Sequence, residues 1–250
     1  MSFVAHRFAG CTVIVTGGGA GIGRATVERL VAEGARVIAV DVFSERLALL
    51  TDEVQGDITA VVADITEPAS TDRILEAAGP RIDGLANVAG IMDGFEPTAE
   101  IADETWDRVL AVNLTAMMRL TRAVLPSMLD RGAGSIVNVG SEAGQRGSAA
   151  GTPYTTSKHA VNGFTTSTAF FYTPKGVRCN AVAPGPVATS IEAPFRSEWA
   201  GQRLGPLFQT NIPPVARPEE LAAAITWLLS DDASNVSGAI LAVDGGWASI

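Results

Sequence analysis

The glycine-rich stretch TGGGAGIG, residues 16–23, could hold the phosphates of a nucleotide. It follows a short apolar run, Thr12–Thr16, and it precedes a helical pattern over residues 22–33. Glycine permits a tight turn with positive φ, and backbone amides at a helix N-terminus attract a pyrophosphate. This strand–loop–helix context is typical of a dinucleotide site, whereas a glycine-rich loop without a ligand is the structural alternative.

Asp41 ends the next apolar run, RVIAVD, at about the 20-residue distance expected of a ribose-binding carboxylate. Such a carboxylate can accept hydrogen bonds from both ribose hydroxyls, and its charge repels a 2′-phosphate. No arginine follows, since position 42 is Val42, and Ala20 stands in the loop where a basic side chain could meet that phosphate. We therefore expect NAD(H) rather than NADP(H). A turn residue or a helix cap is the alternative interpretation of Asp41.

Four polar residues later in the chain could act together. Tyr154 and Lys158 are four residues apart, so a helix places both on one face. Ser141 lies thirteen residues before Tyr154, directly after the apolar run that ends IVNVG. Asn113 is a polar residue within an apolar helix pattern, AVNLTAMM, where its amide competes with the backbone. Each residue alone has an ordinary structural explanation, but the four together with the glycine loop and Asp41 are hard to explain by chance.

Short apolar runs alternate with helical patterns along the chain, and these elements must position the polar residues. The runs are apolar in the way of strands buried on both faces, and they cover residues 12–16, 37–41, 60–64, 84–89, 135–139, 177–183 and 240–243. Helical patterns cover residues 22–33, 44–54, 103–130, 155–171 and 218–229. The alternation predicts an α/β fold, a Rossmann-type doubly wound sandwich with a seven-stranded parallel sheet.

Residues 190–216 are the least regular stretch, with four prolines, several aromatic residues and little periodicity. So long a segment without regular structure is uncommon in a compact domain. A substrate lid is one interpretation and a plain surface insertion is the other. We expect a single domain over residues 1–250, with the lid as part of it.

Composition limits the possible partners and compartments. The chain has 250 residues, 47% hydrophobic and 18% charged, with a formal net charge of −9. An acidic protein repels nucleic acid and anionic membrane surfaces, so neither is expected as a partner. The two cysteines, Cys11 and Cys179, form no disulfide or metal pattern, and no metal is expected. We expect a cytoplasmic protein, because the sequence has no signal-peptide core and no apolar window of about 18 residues.

Taken together, these motifs resemble the short-chain dehydrogenase/reductase family, and the resemblance runs from residue 8 to residue 247. TGGGAGIG resembles the family's TGxxxGxG, and NVAG at residues 87–90 is similar to its NNAG. The PGPVAT stretch at residues 184–189 is similar to PGxVxT, which lies near the nicotinamide. The family's Asn-Ser-Tyr-Lys tetrad is matched in order and spacing by Asn113, Ser141, Tyr154 and Lys158. The combination is highly specific, although each motif alone is not.

The resemblance implies an oxidoreductase that transfers a hydride between a nicotinamide and a secondary alcohol or ketone. Tyr154 would be the general acid for carbonyl reduction or the general base for alcohol oxidation. The Lys158 ammonium would lower the tyrosine pKa from its ordinary value of about 10, and would also hold the nicotinamide ribose. Ser141 would orient the substrate oxygen, and Asn113 would bind a water that joins Lys158 to a proton relay.

The resemblance also implies which residues contact NAD. Those in the glycine loop and at the strand ends are Gly17, Gly19, Gly21, Ile22, Gly23, Asp41, Asp64, Ile65, Asn87, Ala89 and Gly90. Those nearer the nicotinamide are Tyr154, Lys158, Pro184, Gly185, Val187 and Thr189. Asp64 would approach the adenine, and Thr189 with the backbone of Val187 would touch the carboxamide.

A homotetramer or homodimer is implied as well. In the family, helices corresponding to residues 103–130 and 155–171 pair across a subunit interface. Here the second helix ends in an apolar stretch with Phe170, Phe171 and Tyr172.

Two other functions stay open from the sequence. One is a 3-oxoacyl carrier-protein reductase that docks its partner through Arg131 and Lys175. The other is an NAD-sensing module without catalysis. Glu142 is expected to be solvated, and the roles of Arg146, Arg196 and the aromatic residues of the lid are left open.

Overall fold

Seven parallel strands form one sheet in the computed structural model of the chain, which describes residues 3–191 and 193–249. The strands are β1 (Thr12–Thr16), β2 (Arg36–Asp41), β3 (Ile58–Val62), β4 (Gly84–Asn87), β5 (Gly134–Val139), β6 (Val177–Pro184) and β7 (Ile240–Val243). Their spatial order is β3-β2-β1-β4-β5-β6-β7, and each neighbouring pair is parallel. The predicted seven-stranded, doubly wound α/β fold is confirmed.

Helices cover both faces of this sheet. They are α1 (Gly21–Ala32), α2 (Ser44–Glu53), α3 (Pro68–Ala78), α4 (Asp103–Leu110), α5 (Met117–Arg131), α6 (Thr152–Tyr172), α7 (Glu198–Asn211) and α8 (Pro218–Leu229). Val27 of α1 and Ile225 of α8 pack in one core cluster, while Ile74 of α3 and Val124 of α5 pack in the other. In the described part of the chain, no helix combines the length and the apolar character that a bilayer crossing requires.

Strand β1 shows why the apolar runs lack polar alternation. Val13 and Val15 belong to the first core cluster, whereas Ile14 belongs to the second. Successive side chains of a strand point to opposite faces of the sheet. Because helices cover both faces, all three residues are buried, and the middle of the strand is a continuous apolar run.

Two strands differ from the prediction by two residues at an end, and β2, β5 and β6 each differ by one residue at one end. β3 is Ile58–Val62 and not residues 60–64, and β4 ends at Asn87 and not at residue 89. β3 lies at the edge of the sheet and its side chains are only partly buried. An apolar run therefore marks the presence of this strand better than it marks its ends.

Helix α3 was missed by the sequence analysis. Its buried stripe consists of Ser70, Ile74 and Ala78, spaced one turn apart. A stripe with a single large apolar residue gives a weak helical periodicity. Pro68 at the start of the helix is the clearer signal, because proline favours the first helical turn.

The predicted helix over residues 103–130 is interrupted. α4 and α5 are joined by a π-helical segment, Ala111–Ala116, which contains Asn113. Such a segment widens the helix locally and is often found at functional sites. It accommodates the polar residue that stood out in the apolar pattern.

Residues 190–216 contain α7, so the prediction of an irregular segment is wrong over Glu198–Asn211. The hydroxyl of Ser197 accepts a hydrogen bond from the Ala200 N–H (3.0 Å) and caps the helix. Ala200 and Leu204 are buried one turn apart. Pro206 inside the helix breaks the pattern and hid it from the sequence analysis.

Candidate functional site

A groove opens at the carboxyl ends of β1 and β4, where the winding of the sheet reverses direction. Doubly wound sheets bind ligands at such switch points. The lining residues include Thr16, Ile65, Asn87, Ala89, Asn113 and Val139. The groove therefore brings together residues that the sequence assigned to cofactor binding and to the tetrad.

The glycine loop leaves no room for side chains at several positions. Gly17 and Gly21 have φ values of 66° and 50°, which favour glycine. A Cβ on Gly17 would lie 3.1 Å from the Ala89 backbone, and a Cβ on Gly23 would overlap the carbonyl oxygen of Gly17. Ile22, between them, packs against the core as α1 begins. The tight turn leads directly into the N-terminus of α1, where unpaired amides favour a pyrophosphate, so the loop is compatible with a dinucleotide site.

Asp41 lies beside the loop and is 7% exposed. Its Oδ2 accepts a hydrogen bond from the Gly19 N–H (3.0 Å), and its Oδ1 accepts one from the Phe43 N–H (3.1 Å). The stem of Arg46 also packs near Gly19, and its guanidinium lies 4.1 Å from the ring centroid of Phe43. The sequence pattern indicates the acidic neighbour of the loop but not the basic one, because Arg46 lies in α2 and not directly after the strand.

Two residues assigned to the cofactor have side chains that are engaged elsewhere. The Asn87 amide donates to Asn138 Oδ1 (2.9 Å) and Thr121 Oγ1 (3.2 Å) in the core. Asp64 is exposed, and its Oδ1 accepts from the N–H and the hydroxyl of Thr66 (2.8 and 2.7 Å). Any cofactor contact by Asn87 must therefore use its main chain, which the residue type did not reveal.

Ser141, Tyr154 and Lys158 meet near the carboxyl end of β5. The Ser141 hydroxyl is hydrogen-bonded to the side chain of Tyr154 and accepts the Ala143 N–H (3.1 Å). The Lys158 Nζ lies 5.4 Å from the centroid of the Tyr154 ring, one turn away on α6, and donates to the Val139 carbonyl (2.8 Å). The structure thus brings three of the four tetrad residues into direct proximity.

Burial dominates the protonation of this group. The pKa of Tyr154 is raised to about 12, chiefly because its hydroxyl is desolvated, with a further increase from the Asp93 charge and an opposing effect of the Ser141 hydrogen bond. Desolvation lowers the pKa of Lys158 to about 8. The expected net lowering of the tyrosine pKa beside Lys158 is not found, because desolvation, which disfavours the charged phenolate, is the largest effect and raises the pKa.

Asn113 stands behind Lys158. Its Oδ1 accepts the Ile91 N–H (2.9 Å), and its Nδ2 donates to the Ile91 carbonyl (3.0 Å) and to Ser157 Oγ (3.2 Å). A Cβ on Gly90 would lie 3.4 Å from Asn113 Oδ1 and 3.5 Å from Lys158 Nζ. The Asn113 side chain therefore fixes the segment after β4 against α6, beside the ammonium.

The segment after β6 lies against the glycine loop. Val187 forms a parallel β-bridge with Ala216, and the Ala188 N–H donates to the Ala216 carbonyl (2.9 Å). Thr189 packs against the loop, because a Cβ on Gly21 would lie only 3.0 Å from the Thr189 Cγ2. The two ends of the predicted lid are thus pinned together next to the groove.

Pro184 ends β6, and Gly185 packs closely against the backbone of Asp244. The Asp244 carboxylate accepts the N–H of Gly246 (2.9 Å) and so folds the turn that follows β7. This turn places Trp247 at the wall of a neighbouring cavity.

That cavity, of about 180 Å³, is lined by Arg146, Ser148, Leu207, Phe208, Asn211 and Trp247. The Arg146 guanidinium lies 5.2 Å from the Trp247 ring centroid, and the Phe208 and Trp247 rings meet edge to face at 5.9 Å. Leu207 and Phe208 belong to α7, so the predicted lid forms one wall.

Glu142 is fully buried and pairs with Arg146, four residues later. The expectation of a solvated Glu142 is wrong, because the guanidinium shields the carboxylate from solvent. Glu142 directly follows Ser141 in the sequence, and Arg146 lines the cavity. The pair therefore connects the serine to the cavity wall. The i, i+4 spacing of the two charges was the available signal.

Asp93 was not singled out by the sequence analysis. Its carboxylate is 1% exposed and accepts the N–H of Tyr154 (2.8 Å), 61 residues away. The Asp93-Gly94 dipeptide is typical of a turn, and nothing in that pattern indicates a contact with the tyrosine.

A scan of protein-family models matches residues 11–199 to the short chain dehydrogenase family. The short-chain dehydrogenase/reductase cdmF of Talaromyces verruculosus is 42% identical over 252 residues, which cover 95% of this chain and 97% of that protein. The crystal structure of levodione reductase superposes with a TM-score of 0.88 at 34% identity, covering 97% of this chain and 99% of that one.

A third similar protein bears on the cofactor. It is a candidate NAD(P)-dependent gluconate 5-dehydrogenase of Beutenbergia cavernae with NADP bound at low occupancy, 36% identical, with a TM-score of 0.85 over 97% of this chain and 98% of that one. Family, fold and site geometry agree over nearly the whole chain. The protein belongs to the short-chain dehydrogenase/reductase family of oxidoreductases.

Proposed function

We propose that this oxidoreductase transfers a hydride between NAD and a secondary alcohol or ketone, with Tyr154 as the general acid/base. The observation that carries the proposal is the cluster of Ser141, Tyr154 and Lys158 near the groove at the carboxyl ends of β1 and β4. A bound nicotinamide dinucleotide supplies or accepts the hydride. The protein has to bind the two reactants and to move the proton.

In carbonyl reduction, the Tyr154 hydroxyl donates its proton to the developing alkoxide. Its raised pKa, about 12, keeps the hydroxyl protonated at neutral pH, which is the form that reduction requires. The Ser141 hydroxyl, already bonded to Tyr154, orients the substrate oxygen towards that proton. The Lys158 ammonium stabilises the phenolate that remains. In alcohol oxidation, the same groups act in reverse.

Asn113 belongs to this machinery as a support for Lys158. The Asn113 side chain is already bonded to Ile91 and Ser157. A relay water would therefore be held by the main chain of the π-helical segment. A π turn suits this role, because it disturbs the regular pairing of backbone carbonyls.

The cofactor is proposed to be NAD. The buried Asp41 carboxylate beside Gly19 favours ribose hydroxyls and repels a 2′-phosphate. The proposed contacts are the glycine loop with Ile22, then Asp41, Asp64, Ile65, Asn87, Ala89 and Gly90, and on the nicotinamide side Tyr154, Lys158, Pro184, Gly185, Val187 and Thr189. The Arg46 Cβ packs near the same glycine and its guanidinium lies over Phe43, so a basic residue is close and Asp41 has to supply the discrimination against NADP.

The substrate is proposed to be an uncharged ring-bearing alcohol or ketone. Leu207, Phe208 and Trp247 form an apolar part of the cavity wall. Ser148 and Asn211 add uncharged polar groups, and the charge of Arg146 is matched by Glu142. Flat apolar rings gain most from aromatic walls. The lid over residues 190–216 would close the cavity through α7.

The alternatives have less support. Arg131 is bonded to Asp83 and to several backbone carbonyls, so it is poorly placed to dock an acidic carrier protein. An NAD-sensing module would not need the Ser141–Tyr154–Lys158 cluster.

A panel of secondary alcohols and ketones, followed at the NADH absorbance band, tests the proposal. We expect turnover with NAD, and higher kcat/KM for neutral cyclic substrates than for open-chain hydroxy acids of similar size. Saturable NAD binding without turnover across the panel would contradict catalysis and support the sensing module. Preference for hydroxy acids would contradict the proposed substrate class alone.

The protein is also proposed to act in the cytoplasm as a homotetramer or homodimer. Its cysteines are free thiols, as is usual in a reducing compartment. At the end of α6, Phe170 and Phe171 are 76% and 62% exposed and contact each other edge to face. Large aromatic side chains left in water in this way are typical of an interface.

We expect the double substitution Phe170→Ser and Phe171→Ser to shift the protein towards smaller species, because it removes the aromatic area that association would bury. Size-exclusion chromatography with light scattering measures the change. Leu49→Ser, at an exposed apolar residue of α2, is the matched control and should leave the mass unchanged. A wild-type monomer would refute the proposed assembly.

A further inference from the structure

The turn formed by residues 93–96 lies between the lid and the first turn of α6. On one side, the Glu96 carbonyl accepts the N–H of Thr152 (2.9 Å) and the Asp93 carboxylate accepts the N–H of Tyr154 (2.8 Å). On the other side, the Gly94 carbonyl accepts the N–H of Arg196 (3.0 Å), which belongs to the lid segment. One short turn thus bonds both to the lid segment and to the first turn of α6, which carries Tyr154.

The Asp93 carboxylate acts as a cap supplied from a distant part of the chain. Its Oδ1 accepts the Phe95 N–H (2.9 Å) and its Oδ2 accepts the Tyr154 N–H, and the Gly151 backbone also contributes a hydrogen bond. Helix N-termini need such acceptors for their unpaired N–H groups, and a negative charge there is favourable. The N-terminal residue of α6 makes no side-chain cap of its own, so Asp93 takes that role.

The charge of Asp93 is otherwise uncompensated. The side chain is 1% exposed, and among residues 3–191 and 193–249 no cation forms an ion pair with it. Desolvation raises the pKa of its carboxyl in spite of the backbone hydrogen bonds. A buried carboxylate held by several N–H groups fixes the backbone that donates them, because moving away would leave the charge unsolvated.

The lid side of the turn is held by a stacked pair of rings. Phe95 has a φ of 58°, a left-handed conformation that is uncommon for a bulky residue and is kept only where surrounding contacts enforce it. Its ring stacks on Phe195 of the lid at a centroid distance of 4.3 Å. Arg196 adds an ion pair with Glu96 (3.6 Å). The turn conformation and the lid position are therefore mutually dependent.

We propose that Asp93 is a positioning residue, which holds the Tyr154 backbone through its carboxylate and couples the lid segment, packed on the same turn, to the position of the tyrosine. The proposal rests on the role proposed for Tyr154 in catalysis. A lid seated on Phe95 orders the turn, and the ordered turn presents Asp93 to the start of α6. Substrate that closes the lid thereby also fixes the proton-transfer group.

Amide hydrogen exchange tests the coupling without reference to activity. In the Asp93→Asn protein, an NH₂ group that cannot accept an N–H replaces one carboxylate oxygen, and the bond to the remaining oxygen loses its charge. We therefore expect faster exchange at the amides of Tyr154 and Phe95. The Phe195→Ala protein loses the ring that stacks on Phe95, and the Tyr154 amide should also exchange several-fold faster. Gln202→Ala is the matched lid control, because Gln202 is exposed and bonds to Glu198 within α7. It should leave that amide unchanged.

Kinetics test whether the coupling matters for the proposed reaction. We expect Asp93→Asn to lower kcat by up to about 100-fold, as misplacement of a catalytic group by about 1 Å can do, with little change in the KM for NAD. The charged groups near Tyr154 include Asp93 and Lys158. Removing the Asp93 charge lowers the tyrosine pKa, so the rise of alcohol oxidation with pH should move to lower pH, which a purely structural defect would not produce.

The outcomes separate this inference from the proposed function. Unchanged exchange at Tyr154 in both Asp93→Asn and Phe195→Ala would refute the coupling, whatever the activity. Faster exchange at Tyr154 in the two variants would support the coupling. If the wild-type protein also shows no turnover, the proposed chemistry is refuted while the coupling stands. If Asp93→Asn accelerates exchange equally at core amides such as Val15, it has unfolded the chain. In that case the exchange of the Tyr154 amide in Phe195→Ala, at a surface residue, is the deciding test of the coupling.

Discussion

Replacing Tyr154 by phenylalanine should lower kcat by about 10²–10⁴-fold, the usual range for removing a general acid or base. The substitution deletes the hydroxyl that is bonded to Ser141 and keeps the ring that lies beside Lys158. Binding of NAD should change little, since the glycine loop and Asp41 remain intact. Steady-state kinetics and NAD titration measure the two effects separately.

Tyr172 provides the matched control, because it is the other tyrosine of the chain and ends the same helix, packed against the core. Tyr172→Phe should leave kcat unchanged. A Tyr154→Phe enzyme that keeps wild-type kcat, with a thermal unfolding midpoint like that of the wild type, would rule out the tyrosine mechanism.

Replacing Asp41 by asparagine should shift the ratio of the two dissociation constants, for NAD and for NADP, by about 10–100-fold towards NADP. A hydrogen bond to a charged group contributes about 1.5–3 kcal/mol, and each 1.4 kcal/mol is a tenfold change in affinity. The neutral side chain binds ribose hydroxyls less well and no longer repels a 2′-phosphate. Arg46, whose stem packs near the same glycine, can then attract that phosphate.

Asp64→Asn is the control for this effect, because Asp64 is an exposed carboxylate that bonds to Thr66 and has no assigned ribose contact. It should leave the ratio unchanged. Tighter binding of NADP than of NAD by the wild-type protein would overturn the proposed cofactor preference, and an unchanged ratio in Asp41→Asn would show that Asp41 does not discriminate between the two.

The sequence predicted the fold well where burial leaves a strong pattern. Strands of a sheet covered on both faces are mostly apolar, so β1, with Val13, Ile14 and Val15, stands out as a continuous run. The same reasoning loses precision at the edge strand β3 and missed α3, whose buried stripe includes Ser70 and Ala78. Helix α7 was hidden because Pro206 and nearby glycines are poor helix formers and tertiary contacts overcome this.

The spacing of the tetrad could be predicted because it depends on local geometry. Four residues along one helix place Tyr154 and Lys158 together, and a strand end places Ser141 beside them. The protonation of these groups could not be predicted, because it depends on how much solvent the rest of the fold removes. Desolvation raises the pKa of the tyrosine to about 12, although the neighbouring lysine alone suggests the opposite direction.

By itself, the sequence determined the succession of strands along the chain, the glycine loop, the acidic residue that ends β2 and the spacing of Tyr154 and Lys158, since each is encoded by neighbours within about one element. Only the tertiary structure decided which distant groups act on that site. Asp93 reaches Tyr154 across 61 residues, and Glu142 is buried by Arg146 against the cavity that Trp247 closes from the end of the chain. Such contacts follow from chain packing, and no local spacing records them.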